Sequence, residues 1–533
     1  MEQNNNLQQR LLLALVLSFI VFVVFDMFMP KPVKQNDENR TATTEQQTPA
    51  IVNSTASPTT SSSSSAPIQE SSSSLAPVTT VKALTTVKSD KFVFTIDELG
   101  RIAQVKLLEK KYEYEEKKLE LLNPLWVKPL EIRFADANLN KEALKVPYTT
   151  STPTVDLMNG VSKVTLTQKL STTTVTKELT FYKDGHYDIN INLSNPAQYF
   201  VTIGQRPNAD HTMYMVVQGS LVKKTNGMIE VLEDGDVEEK FEIQSAQFAS
   251  AFDRYFASIL YNFDKPLKVS TLIIGDEDAL VFLQGEQNFA LHGYLGPKES
   301  AVLKNINPQL TDSIEYGLFT FISKPLFKVL EWFHGVVGNW GWAIVFVTLL
   351  IKLILFPLSY KGMMSMQRLK ELAPQMKELK EKYGKDPQKM NAKMMEMYKK
   401  HGANPMGGCL PLLLQIPIFF AIYRVLLNAV ELQGAEWTLW ITNLSQMDPY
   451  FVLPILMGAS MWYQQKITPN TMTDPMQQKI FQWLPVVMTV FFITFPAGLV
   501  LYWLVNSVFT IAQQYIVNKA FEKQKADKLA KQK

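Results

Sequence analysis

Between Tyr316 and Ile516 the chain is a succession of long apolar stretches, and another, Leu11 to Met29, lies near its N-terminal end. Nothing constrains the fold more. In hydrocarbon every backbone N–H and C=O must find its partner inside the protein, so stretches of this kind are helices. Leu11 to Met29 sits between Arg10 and Pro30, and at 1.5 Å per residue it spans roughly 28 Å, about one hydrocarbon core. It is long for the apolar region of a cleaved signal peptide and no small-x-small site follows, which predicts an uncleaved signal-anchor helix over 1–30. Five further spans are expected within 338–517: Asn339 to Leu358, Cys409 to Val430, Tyr450 to Gln465, and a pair inside Ile480 to Ile516. A single helix over that last stretch would run about 55 Å, too long for a bilayer, so the break is placed at Phe495-Pro496-Ala497-Gly498.

The rest reads as a soluble protein. Residues 31–89 are rich in Ser, Thr, Pro and Gln, including Ser61 to Ser65 and Ser71 to Ser74. Such a segment has too little apolar surface to offset chain entropy and is expected to be a disordered linker. From Asp90 to about residue 315, short alternating runs such as Lys91 to Ile96, Lys163 to Leu170, Thr173 to Tyr182 and Tyr187 to Leu193 predict an all-β sandwich, with Asp184-Gly185 as a hairpin turn. Gln244 to Tyr261 is expected to be helical and to pack on a sheet edge. Lys324, Lys328 and Glu331 form one stripe on Leu318 to Phe333, with Phe319, Leu326, Phe327, Leu330 and Phe333 elsewhere. This spacing predicts an amphipathic helix over 316–337 lying in the membrane interface, or else packed on the β domain.

Charge placement says more than the net charge of +3. Lysine and arginine crowd the segment 360–404 and the basic tail 518–533, whereas the loop from Glu431 to Pro449 has neither. By the positive-inside rule both termini and the 360–404 segment are cytoplasmic, and the β domain is on the far side. Met366, Leu369, Leu372, Met376, Leu379 and Tyr383 recur every three or four residues; Gly384 then ends one helix and Asp386-Pro387 starts the next. The result is a cytoplasmic helical hairpin with Arg368, Lys370, Lys377 and Lys380 facing outward, suited to ribosomal RNA, anionic lipid or an acidic partner.

Two basic residues lie well inside the expected spans, Lys352 and Arg424. A charge at a helix centre costs roughly 2.5 to 3.5 kcal/mol. Arg424 lies near the outer end of its span, where a long side chain reaches outward. Lys352 lies near mid-membrane. Thr348 is one turn away on the same face, and the last span carries Tyr502, Asn506, Thr510 and Gln513 as a polar stripe, with Gln415, Ser460 and Gln464 on other spans. Most of these fall in the cytoplasmic half, which predicts a wet groove open to the cytoplasm and sealed from the other side. One cysteine excludes an intramolecular disulfide and a cysteine-cluster metal site. The five histidines are scattered. There is no phosphate-binding loop, zincin or nucleophile-elbow motif, so neither an enzyme nor a cofactor is expected.

Several motifs carry a resemblance. Asn404-Pro405-Met406-Gly407-Gly408-Cys409 followed by Pro411 and Gln415-Ile416-Pro417, then Asp448-Pro449-Tyr450, Leu453-Pro454-Ile455-Leu456-Met457-Gly458, Thr473-Asp474-Pro475-Met476-Gln477-Gln478-Lys479 and Phe495 to Trp503, are similar to the YidC/Oxa/Alb insertases. The match runs from about Gly317 to Lys523. A signal anchor plus a large β domain resembles the Gram-negative form, whose exported domain is a β-supersandwich. The resemblance implies a multi-domain inner-membrane protein with a five-helix insertase bundle, inserting and folding nascent membrane proteins alone or beside the Sec translocon. It places the basic groove residue on Lys352 and substrate contacts on Thr348, Phe419, Met457, Phe491, Tyr502 and Trp503. Lysine stands where the family usually carries arginine, keeping the charge without the planar fork of donors. A small-solute transporter and a membrane-anchored periplasmic scaffold are the alternative functions.

Overall fold

A computed structural model describes residues 82–114, 116–158, 160–210, 214, 216–275, 277–383, 386–401, 410–468 and 475–531. The expected signal anchor, most of the linker and the Asn404 to Cys409 motif lie outside them. The chain forms two compact units: one holds the chain up to Leu108 with Leu119–Gly296, the other Glu109–Lys118 with Pro297 onward.

The first unit is built on alternation. Strands Ser162–Lys169, Thr174–Phe181 and His186–Leu193 bury every second residue and pair antiparallel, the last two across Asp184-Gly185. They form one end of a 12-stranded sheet. A 4-stranded sheet contains Ala83–Lys88, Phe92–Asp97, Ile102–Leu107 and Thr154–Asp156. The two pack through Phe94, whose ring lies 5.5 Å from Phe181 and 6.4 Å from Tyr187. A buried lysine staples them as well: Lys177 Nζ donates to the carbonyls of Gly100 and Leu130 at 2.8 and 2.7 Å. The first strand starts at Ala83, ahead of the expected Asp90, because the run Ala83–Lys88 pairs with Phe92–Asp97 despite its polar composition.

The helix expected over Gln244 to Tyr261 is two strands, Glu242–Phe252 and Phe256–Tyr261. Both run through the middle of the large sheet, where both faces are covered, so the period-2 alternation is lost and an apolar run cannot be told from a helix by pattern. The reversal between them is marked by Asp253, whose carboxylate accepts from the N–H of Tyr255 at 2.9 Å and of Phe256 at 2.7 Å. A short helix, α1 (Ala137–Ala143), is capped by Asp136.

The second unit is helical. It comprises α2 (Ser300–Ile306), α3 (Thr320–Val337), α4 (Trp340–Tyr383), α5 (Pro387–Lys400), α6 (Leu410–Asn428), α7 (Val452–Ile467), α8 (Pro475–Phe492) and α9 (Ala497–Lys531). Among the described residues, α4 and the part of α9 from Ala497 to Asp527 are long and apolar enough to cross a membrane. The break falls between Phe492 and Ala497, as the Phe-Pro-Ala-Gly sequence predicts. Neither long helix stops at the bilayer: α4 runs on into the first arm of the hairpin, and α9 runs on through most of the basic tail. The amphipathic helix α3 buries Ser323, Phe327 and Leu330. Its Ser323 hydroxyl donates to the Ala421 carbonyl of α6 at 3.2 Å, and Phe333 stacks on Phe346 of α4 at 5.7 Å. Phe321 and Trp332 on its other side are 72% and 63% exposed, an apolar face of the kind lipid covers.

Candidate functional site

Lys352 is held between two helices. Its side chain is buried in α4, and Nζ donates to Thr510 Oγ1 of α9 at 3.0 Å. Thr510 in turn donates to the Asn506 carbonyl at 2.7 Å, and the Asn506 amide oxygen accepts from Gln415 Nε2 of α6 at 2.9 Å. Three helices thus contribute to one polar chain, with the cation at one end. Thr348, expected as a partner of the lysine, is buried one turn away and donates to its own Ile344 carbonyl at 2.7 Å. Gln513, three residues beyond Thr510, is buried, and its Nε2 finds no protein acceptor among the described residues, a position that favours water or a polar guest.

The aromatic residues of α6, α8 and α9 pack against one another. Phe419 meets Trp503 edge-on at 4.8 Å, and Trp503 lies 5.2 Å from Phe492. Phe491 packs on Phe492 and Phe495 at 5.5 and 4.9 Å. Tyr502 and Met457 are buried. Ser460 turns its hydroxyl onto the Met457 carbonyl of its own helix at 2.6 Å, outside the polar chain.

Residues 84–329 match the family profile described as the YidC periplasmic domain, and residues 332–525 match that of the 60Kd inner membrane protein. A membrane protein insertase YidC from Campylobacter jejuni subsp. jejuni is 47% identical over 537 residues, covering 98% of this chain and 98% of its own. Its counterpart in Wolinella succinogenes is 47% identical over 530 residues, covering 99% and 97%, and that of Helicobacter pylori is 46% identical over 554 residues, covering 98% of each. The chain belongs to the YidC insertase family.

In this chain a Met and Leu seam closes the hairpin. Leu369, Leu372, Met397 and Tyr398 are buried together, with Met366, Met376, Leu379 and Met394 against them. Asp386 caps α5 by accepting from Lys389 N at 3.1 Å. Arg368, Lys370 and Lys377 are exposed; the side chain of Lys380 lies outside the described residues.

Sequence reasoning missed a second polar cluster, farther along α9. Asn518 Oδ1 accepts from Gln514 Nε2 at 2.7 Å and from Gln367 of α4, while its Nδ2 donates to the Ile467 carbonyl of α7 at 3.5 Å. The sequence carries a signal for it: the four-residue step of Tyr502, Asn506 and Thr510 continues through Gln514 to Asn518, two residues past the expected end of the span at Ile516. Arg424 also gains a partner, Glu315, at 3.7 Å just ahead of α3.

Just after α6, Glu431 is half-buried and accepts from Ser300 N at 2.8 Å at the start of α2. Burial, with Glu299 and Glu331 adding like charge, pushes its carboxyl up from 4.5 to about 7. The folded state therefore holds a proton that the unfolded chain releases. The stabilisation this proton gives is full below about pH 4.5 and is lost as pH rises through 7. Glu431→Gln keeps the acceptor and removes the charge, so the variant should equal the wild type near about pH 3.5 and exceed it at about pH 8 by roughly 3 kcal/mol at most. Thermal unfolding in detergent at the two pH values checks this; an equal difference at both would refute it.

Proposed function

We propose that this chain is a membrane protein insertase that receives hydrophobic segments of nascent membrane proteins in a polar groove around Lys352 and releases them sideways into the bilayer. The observation that carries the reading is the Lys352–Thr510–Asn506–Gln415 chain, its lysine buried and the other three half-buried, among helices otherwise apolar. An acidic or polar tail coming from the cytoplasm meets a cation inside the membrane, so only the remaining dry half of the bilayer opposes its crossing. Burial of the attached apolar segment in lipid, at roughly 25 cal/mol per Å², then drives release. No bond is made or broken and no cofactor is needed.

The architecture that fits this reading is a signal anchor, a β-supersandwich and a five-span bundle of α4, α6, α7, α8 and α9, with both termini and the α4–α5 hairpin cytoplasmic. The short helix α7, 16 residues, spans about 24 Å and favours local thinning of the bilayer. The exposed basic residues of the hairpin suit a ribosome or anionic lipid, and the Sec translocon is the natural companion of an insertase; DNA is not among the partners.

A photo-crosslinker placed at Tyr502 should capture a nascent single-span protein during synthesis into membranes. The same group at Val508, which is 52% exposed on the outer face of α9, is the control. Capture at Val508 alone would defeat the groove.

A further inference from the structure

Residues 433–451 lie between α6 and α7, at the same end of the bundle as Asn339. Their packing is tighter than a connection needs. Asn339 Nδ2 donates to the carbonyls of Glu436 at 2.9 Å and Trp437 at 3.2 Å. Gly341 of α4 lacks a side chain for a visible reason: a Cβ there would sit 2.2 Å from the Trp437 ring. On the other long helix, Ala497 N donates to Gln446 O at 2.7 Å and Gly498 N to Leu444 O at 2.9 Å. A Cβ on Gly498 would fall 3.2 Å from that carbonyl and 3.4 Å from Ile344. The segment therefore lies across the first turns of α4 and α9, the two helices that present Lys352 and Thr510.

Within it, Asp448 is fully buried. Its carboxylate accepts from Trp440 Nε1 at 2.9 Å, Tyr450 N at 3.0 Å and Leu453 N at 2.7 Å. Leu439, at the tip, is held at φ +56° although it is not glycine, and it is 82% exposed. A strained backbone of this kind persists where the surroundings over-determine it.

We infer that this segment is the periplasmic seal of the groove and that Asp448 latches it through Trp440. The inference rests on the groove reading above, because a half-channel wet from the cytoplasm conducts ions unless its far end is closed. Ile344, Leu444 and Trp437 supply the apolar closure over α4 and α9. Asp448 fixes the loop from which Leu444 and Trp437 project. It is a positioning residue and touches no substrate.

The test reads the seal from its own side. In a chain carrying Cys409→Ser and Thr348→Cys, a membrane-impermeant maleimide is applied to the periplasmic face of spheroplasts. Trp440→Phe keeps the ring and removes the donor, and labelling should speed up about tenfold, the effect on an opening equilibrium of losing one charge-assisted hydrogen bond. Asp448→Ala should exceed it. Thr510→Cys, labelled from the cytoplasmic face of inverted vesicles, should not change with either substitution. Unaltered Thr348→Cys labelling in Trp440→Phe protein present at normal level overturns the latch. An equal rise at Thr510→Cys does so too, since it signals general loosening. Failure of the Tyr502 crosslink with labelling still latch-dependent would sink the insertase reading and leave the seal standing.

Discussion

Replacing Lys352 with methionine should cut insertion of single-span proteins with acidic tails about tenfold while leaving neutral-tailed substrates near the wild-type level. Methionine keeps much of the length and the packing and removes only the charge. Two unit charges about 4 Å apart are worth roughly 1 kcal/mol in water and about 4 kcal/mol at an effective dielectric of 20, and tenfold lies near the lower end of that range. The ammonium donates to Thr510 Oγ1 at 3.0 Å, a neutral acceptor that the charge does not need, so its attraction is available to a guest. Lys352→Arg should retain the activity and Lys352→Glu should reverse the preference. Insertion measured by protease protection for matched acidic and neutral tails decides it. Equal loss for both tails would mean that the lysine serves packing.

A second substitution should be more damaging than any in the groove. Gly458 of α7 faces α8 so closely that a Cβ would lie 1.8 Å from Thr489 Oγ1. That hydroxyl is itself committed to the Pro485 carbonyl at 2.7 Å. Overpacking a core costs typically about 1–3 kcal/mol; Gly458→Leu should exceed that, because two short helices must separate along their length and the Gln465 amide would leave the Phe481 carbonyl. The expected result is loss of the protein from the membrane fraction and a collapsed unfolding transition in detergent. Ala459→Leu, at the exposed neighbouring position, should behave as wild type. A stable Gly458→Leu protein would show that α7 and α8 do not depend on this contact.

Much of this fold could be read from residues alone, for reasons that differ by region. The apolar stretches and the Phe495-Pro496 break predict the helices because a bilayer leaves little else open to them. The Met and Leu seam of the hairpin follows from a spacing that only a helix satisfies. The central strands Glu242–Phe252 and Phe256–Tyr261 were illegible because a strand buried on both faces has no alternation to show. In the groove, Lys352 and the Asn506 and Thr510 positions were legible as polar anomalies, and the structure joins them. Thr348 was assigned to the lysine on face alone, whereas a threonine in a helix readily bonds the carbonyl one turn back. Asn518 and the loop latched by Asp448 depend on contacts between residues distant in sequence, which periodicity does not register.

The two helices that carry Lys352 and Thr510 are 44 and 35 residues long, about 66 and 52 Å at 1.5 Å per residue, against a hydrocarbon core of about 30 Å. Outside the core they are joined again: Met364 packs with Val517 and Phe521, and Lys525 pairs with Glu371 at 2.8 Å. They therefore form a pair of tongs whose handles extend past the length of a hydrocarbon core, on the side proposed to be cytoplasmic, and whose jaws hold Lys352 against Thr510. Whatever grips the handles sets the spacing of the jaws, and the bends available along the first arm are its two prolines, Pro357 and Pro374.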